Sequence, residues 1–154
     1  LEDRYLAENR DSDTARDAAT MVACYTPDAS FTDPVFDVRG DEVGAMWTMF
    51  CDRGRDMTLE FRDIRADAAT GSAHWEPRYT FSVTGRPVHN RIDSSFTFRD
   101  GLIHAQRDRF DLWRWSRMAL GFKGALLGWT PMVRNAIRRE ARRNFDNWRA
   151  RRAG

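Results

Sequence analysis

Residues 90–110, NRIDSSFTFRDGLIHAQRDRF, decide how the chain is read. Successive side chains on a strand point to opposite faces, so a half-buried strand writes its two surfaces on even and odd positions. Over 90–98 the even positions are Asn90, Ile92, Ser94, Phe96 and Phe98, and between them stand Arg91, Asp93, Ser95 and Thr97. Arg99-Asp100-Gly101 supplies turn chemistry, because Asp and Gly tolerate the left-handed backbone of a tight hairpin. On the return the even positions are Leu102, His104, Gln106, Asp108 and Phe110, whereas the odd ones include Arg107 and Arg109. Two antiparallel strands are expected, with several polar groups set into an otherwise apolar inner face.

The same alternation runs upstream. In 73–83 the odd positions are Ala73, Trp75, Pro77, Tyr79, Phe81 and Val83, opposite His74, Glu76, Arg78, Thr80 and Ser82. Met57, Leu59 and Phe61 mark the inner face of the first long strand. Earlier still the period lengthens to that of a helix. Residues 11–25 place Ala18, Met21, Val22 and Tyr25 on one stripe, and 40–53 do so with Val43, Met46, Trp47 and Phe50. Between them YTPDASFTDPVF reads as a short extended piece among turn residues, its pairing limited by Pro34. Helices followed by a run of long antiparallel strands predict an α+β domain with helices on one face of a bent sheet.

After Phe110 come the Gly-broken apolar link LWRWSRMALGF and a helix opened by Thr130-Pro131. Val133, Ile137, Ala141, Phe145 and Trp148 give that helix one apolar stripe among arginines. The chain is read as a core domain over 1–115 and a basic helical extension over 116–154, packed on the same domain or on a dimer partner.

A chain of 154 residues with ten Phe and six Trp holds enough apolar mass for one sizeable core. No run approaches the roughly 18 apolar residues of a membrane span, and the first residues lack a signal-peptide pattern, so a cytoplasmic protein is expected. A start at Leu1 reads as a chain that begins after a removed segment. Cys24 and Cys51 have no partners at ligand spacing and read as free thiols rather than zinc ligands. Residues 111–154 carry eleven Lys or Arg against three Asp or Glu. Such a block meets nucleic acid, anionic lipid or an acidic partner, or is simply solvated. Aromatic residues that mostly point inward argue against nucleic acid, and the last helix's stripe reads as a cap on the domain or a dimer seam, without membrane association.

Polar residues on apolar inner faces are the informative ones, since a buried carboxylate or amide costs several kcal/mol unless paired or useful. Asp108, Gln106, His104, Asn90 and Ser94 meet that description, and Asp33 joins them by sharing parity with Phe31. Desolvation raises a carboxylate's pKa toward neutrality, which suits a general acid or base. The plainer alternative makes Asp108 a structural hydrogen-bond acceptor. Trp47, Trp75, Tyr79, Phe110 and Trp115 read as pocket walls. His74 and His89 fall on outer faces. Phosphate loops, nucleophile elbows and paired metal-binding histidines are absent from the sequence.

The stretches CYTPDASFTDPVFDVRGDEVGAMW and SSFTFRDGLIHAQRDRFDLW together resemble the nuclear transport factor two-like superfamily, in its SnoaL-like and ketosteroid-isomerase-like branch, over most of residues 4–115. The resemblance implies a cone-shaped fold with a strongly bent sheet around N-terminal helices, frequent homodimers, and catalysis without cofactor or metal in an enclosed hydrophobic pocket. Asp33 in FTDPV falls where ketosteroid isomerases keep their proton-shuttling aspartate. Tyr5 falls where they keep a tyrosine donor to the dienolate oxygen, and Ser94 where they keep a second, aspartate donor. The stretch TGRPVHNRIDSSFTFRDGLIHAQRDRFDLW is also similar to the limonene-1,2-epoxide hydrolase family. There Asp108 lands on a catalytic aspartate, Asp33 on a water-holding asparagine, and Trp75 and Pro77 on the remaining arginine and aspartate.

The expectation is thus an enzyme acting on a small hydrophobic molecule of terpenoid, polyketide or steroid type, by proton transfer or water addition. Asp33 is the general base and Asp108 the partner acid, while Asn90, Gln106 and Tyr5 position the polar group. The alternative is a non-catalytic ligand-binding or dimerisation module.

Overall fold

The computed structural model describes residues 18–54 and 56–154. In chain order these residues form α1 (Ala18–Ala23), β1 (Tyr25–Thr32), β2 (Asp37–Arg39), α2 (Asp41–Arg53), β3 (Thr58–Ala66), β4 (Thr70–Phe81) and β5 (Arg86–His89). There follow β6 (Ile92–Arg99), β7 (Leu102–Arg109), α3 (Leu112–Leu120), α4 (Phe122–Leu127) and α5 (Pro131–Ala153). Seven strands make one sheet in the order β2-β1-β7-β6-β4-β3, with β5 added against β4. Its pairs are antiparallel except β1 with β7. The architecture is the expected α+β one, a curved, open, mainly antiparallel sheet with helices.

The expected parity holds where the strands are regular. Along β4, Ala73 is buried and Trp75, Tyr79 and Phe81 are half-buried. Val83 lies beyond the strand end and is 70% exposed, although it still borders the cavity on the inner side. Along β6 and just before it, Asn90, Ile92, Ser94 and Phe96 are all buried. Asp100 and Gly101 take positive φ values of 53° and 77° at the β6–β7 turn, the left-handed pair that a two-residue hairpin requires.

Two expectations are corrected. In β7 the register passes from Thr97 opposite Ala105 to Phe98 opposite Ile103, leaving His104 as an extra residue. This bulge reverses parity, because two residues on one strand face a single position on the other. Ile103 is buried inside, while His104 turns to the other face, where its Nδ1 lies 3.2 Å from Thr26 Oγ1. At the start of the described chain, α1 ends at Ala23 and Tyr25 opens β1 instead of closing a helix over 11–25. Pairing of Tyr25 with Ile103 accounts for this, since tertiary pairing overrides a helical stripe this short.

The C-terminal elements pack on the same chain. Asp111 caps α3 by accepting from the Arg114 amide, and Thr130 caps α5 by accepting from the Val133 amide. Phe145 is fully buried, edge-on to Phe36 at 6.2 Å, and Trp148 donates to Asp52 at 3.2 Å. Arg142 reaches both oxygens of Glu42 at 3.0 and 2.8 Å, and Arg149 reaches Asp41 at 3.1 Å. The stripe read from the sequence thus lies against α2, with its first half bordering a cavity.

Candidate active site

Between the sheet's inner face, α2 and α5 lies a cavity of about 600 Å³. Its walls are mainly aromatic and aliphatic, with Trp47, Trp75, Tyr79, Phe110 and Trp115 among them. Asp33, Asn90, Gln106 and Asp108 bring polar groups to the same cavity. Such a volume is in the range of small-molecule sites, where a few polar atoms set a ligand's orientation.

Asp108 owes its place to the β6–β7 pair. Directly opposite it in register is Ser94, whose hydroxyl donates to Asp108 Oδ1 at 2.5 Å. The Gln106 amide donates to the same oxygen at 2.9 Å. Behind Ser94, the Trp75 indole donates to its Oγ at 2.8 Å, and Tyr25 donates to the carbonyl oxygen of Gln106. Two polar chains therefore end on one carboxylate.

Asp33 arrives from the other side. β1 runs parallel to β7 with Thr32 opposite Arg107, and Asp33, the next residue, lines the same cavity as Asp108, close enough for its charge to act on that carboxyl. There the chain bends at Pro34, and Asp33 Oδ1 accepts from the amides of Val35 and Phe36, each at 2.6 Å. This side-chain turn fixes the carboxylate with its other oxygen unused by those bonds.

Electrostatics follow from these placements. Burial pushes Asp108 up to about 7, against the lowering bonds from Ser94 and Gln106, and the negative charge of Asp33 raises it further. Burial likewise pushes Asp33 up to about 6, against the amides of Phe36 and Val35. Tyr79, 2.9 Å from the Trp115 indole that donates to it, is raised first by burial and then by the charge of Asp33. Two carboxyls in one apolar space with displaced pKa values can hold a single proton between them near neutrality.

Asn90 accepts at its side-chain oxygen from the Arg91 amide at 3.0 Å, which leaves its NH₂ for a ligand. Ser94, expected at the ligand, stands behind Asp108 and is not part of the cavity wall, because the β6–β7 register directs its hydroxyl at the carboxylate. Tyr5 lies outside the described residues. Sequence reasoning missed Tyr25, which the helical reading of 11–25 concealed. On the opposite face of the sheet Glu76 accepts from His89 at 2.6 Å and Arg62 at 3.2 Å and lies 3.0 Å from His74 Nε2, in agreement with the outer parity of those histidines. Among the described residues no group of three or more His, Cys, Asp or Glu is placed to hold a metal ion.

A bent mainly antiparallel sheet, helices over its inner face and an acid-lined apolar cavity define a protein of the nuclear transport factor two-like class. Within it, the profile of the SnoaL-like domain matches residues 9–106, well over half of the chain, and the protein belongs to that family. No curated protein matches the sequence. Among solved structures, a SnoaL-like protein from Jannaschia sp. CCS1, named as a candidate polyketide cyclase, is similar at TM-score 0.64 and 14% identity over 79% of this chain and 92% of that one. An LEH-like epoxide hydrolase of M. tuberculosis is similar at TM-score 0.59 and 20% identity, over 86% and 94%. The epoxide hydrolase/cyclase-like enzyme SalBIII, with a role in pyran ring formation in salinomycin, is similar at 0.61 and 18%, over 72% and 91%. At these identities the likeness is one of fold.

Proposed function

We propose that the protein is an enzyme that moves protons on a small hydrophobic molecule carrying a carbonyl or epoxide oxygen, without an external cofactor. The observation that carries this reading is the pair Asp33 and Asp108, two carboxyls raised to about 6 and about 7 on one apolar cavity. At neutral pH Asp33 is mainly ionised and Asp108 holds a proton in a large fraction of molecules. Asp33 takes a proton from a carbon beside the carbonyl, or from a water attacking the epoxide. Asp108 gives its proton to the oxygen that gains electrons, and the Asn90 amide donates to that oxygen as well. With a carbonyl substrate, Asp33 delivers its proton to a second carbon while the enol oxygen returns its proton to Asp108; with an epoxide, the proton passes from Asp33 through water to Asp108, and either route returns the pair to its starting state.

Two probes separate the outcomes: limonene-1,2-epoxide, scored for diol, and a β,γ-unsaturated ketosteroid in deuterated water, scored for conjugation and deuterium uptake. Turnover that falls by about a hundredfold or more in Asp33→Asn, with probe binding kept, supports the enzyme. Binding of these probes without turnover or exchange, unchanged in Asp33→Asn, overturns it.

A second reading, a non-catalytic binding module, is favoured by one observation. Asp33 holds the chain's bend through two backbone amides, a role that needs no substrate. Under it, affinity declines stepwise as Trp75 and Tyr79 are truncated, and no variant changes the chemistry of the ligand.

A further inference from the structure

The link between α3 and α5 carries an apolar surface unused by the core and the cavity. Phe122, Leu126, Leu127, Trp129 and Met132 are 78, 53, 49, 61 and 74% exposed. Their outward direction has a packing cause. A Cβ at Gly124 would stand 1.9 Å from the Ser116 carbonyl oxygen, and one at Gly128 2.7 Å from Ser116 Cβ, so the glycine face of α4 is pressed onto α3. The large side chains of α4 then have nowhere to point but outward. Contiguous exposed apolar surface of this kind marks an interaction site.

Basic side chains stand on it and beside it. Lys123 lies on α4 itself, Arg117 holds its guanidinium 4.5 Å over the Trp113 ring, and Arg86 donates to the Met118 carbonyl at 2.8 Å beside Gly121. Of the three acidic residues in 111–154, Asp111 caps α3, while Glu140 and Asp146 pair with Arg143 and Arg142. A second copy of this chain would bring the same basic rim against itself. A negatively charged lipid surface complements both the rim and the apolar centre.

We propose that this patch docks the protein on an anionic membrane surface, with Phe122, Leu126, Leu127, Trp129 and Met132 entering the interface and Arg86, Arg117 and Lys123 meeting lipid phosphates. The docking is peripheral, since among the described residues no helix is long and apolar enough to cross a bilayer. It reverses the expectation drawn from the sequence, in which only the stripe of α5 raised a membrane question. That stripe faces α2 and the cavity, and the lipid-facing residues belong mainly to the link before it.

The patch also adjoins the cavity. Val83 belongs to the cavity lining although it is 70% exposed, and its turn is fastened to α3 by Thr84 donating to the Ala119 carbonyl at 2.6 Å. Leu120 and Val133, both lining residues, stand two residues before Phe122 and one after Met132. A hydrophobic ligand dissolved in the bilayer therefore reaches the cavity along apolar surface. The docking itself does not depend on whether Asp33 and Asp108 are catalytic.

The test is vesicle co-sedimentation of the full chain, with phosphatidylcholine alone and with equal parts phosphatidylglycerol and phosphatidylcholine. The expected result is binding to the anionic vesicles only, weakened by salt and reduced by about tenfold or more in Phe122→Ser/Trp129→Ser and in Leu126→Asp. These side chains are exposed, so the variants should keep the wild-type circular dichroism and melting temperature. Absence of binding to anionic vesicles, or equal binding by wild type and variants, overturns the proposal. So does a concentration-dependent dimer in sedimentation velocity that Phe122→Ser/Trp129→Ser abolishes, which would assign the patch to a second copy.

Discussion

Ser94 and Asp108 stand opposite each other across the β6–β7 pair, and the serine hydroxyl donates to the carboxylate at 2.5 Å. The same hydroxyl receives the Trp75 indole. Ser94→Ala removes a bond that favours the ionised form of Asp108 and leaves the Trp75 N–H without its acceptor. Proton-transfer activity is expected to rise with pH near 6 as Asp33 ionises and to fall near 7 as Asp108 loses its proton, the two limbs belonging to the pair. In Ser94→Ala the falling limb moves to higher pH, and stability drops by about 1–3 kcal/mol. An unmoved limb in the pH–rate profile would separate Ser94 from the proton chemistry.

Both aspartates have folded pKa values above the ordinary 3.8, so the folded state binds their protons more tightly than the unfolded one. Their contribution is favourable below pH 4 and is lost as pH rises through about 6 and 7. At pH 7 the two charges therefore work against folding. Asp108→Asn keeps an oxygen for Ser94 and Gln106 while removing the charge. Its melting temperature is expected to exceed wild type by about 5 °C at pH 7, with the gain vanishing by pH 4. A lower melting temperature at pH 7 would mark Asp108 as a structural acceptor.

Gly124→Ala places a methyl group 1.9 Å from the Ser116 carbonyl, an approach that only backbone movement can relieve. Thermal unfolding should show a loss of about 3 kcal/mol or more, on the scale of overpacking. A mild effect would mean that α4 lifts from α3 at little cost, and that the exposed patch is not held rigidly.

Phe145 is fully buried and stacks edge-on with Phe36. Phe145→Ala is expected to cost about 3–5 kcal/mol in urea unfolding. Because Ile137 and Ala141 of the same helix line the cavity, ligand binding should weaken as well. Loss of stability with unchanged binding would uncouple α5 from the cavity.

Much of this was legible because alternation is a local property. The inner faces of 73–81 and 90–98, the Asp100-Gly101 turn, the Thr130 cap and the stripe through Phe145 and Trp148 each follow from neighbours within a few residues. What failed to show depends on distant partners. The bulge at His104 is set by the pairing of its neighbours Ala105 and Ile103 with Thr97 and Phe98, and the strand character of Tyr25 by its pairing with Ile103. Ser94 was correctly turned inward, yet parity gives a face and not a depth, so its position behind Asp108 had to come from the register. The apolar face of α4 was illegible for a similar reason. Two glycines decide it, and glycine carries no hydropathy to read.

The parallel pairing of β1 with β7 has a consequence for how the molecule comes into being. Residues 30–32 meet 105–107 only after everything between them has been synthesised. A hairpin such as β6–β7 can close as soon as its own residues leave the ribosome, whereas this contact joins segments far apart in the chain and closes a large loop. The cavity that holds Asp33 and Asp108 is therefore complete only when this long loop has closed, so the two charges that oppose folding at neutral pH are brought together by a pairing between distant parts of the chain and not by a local turn.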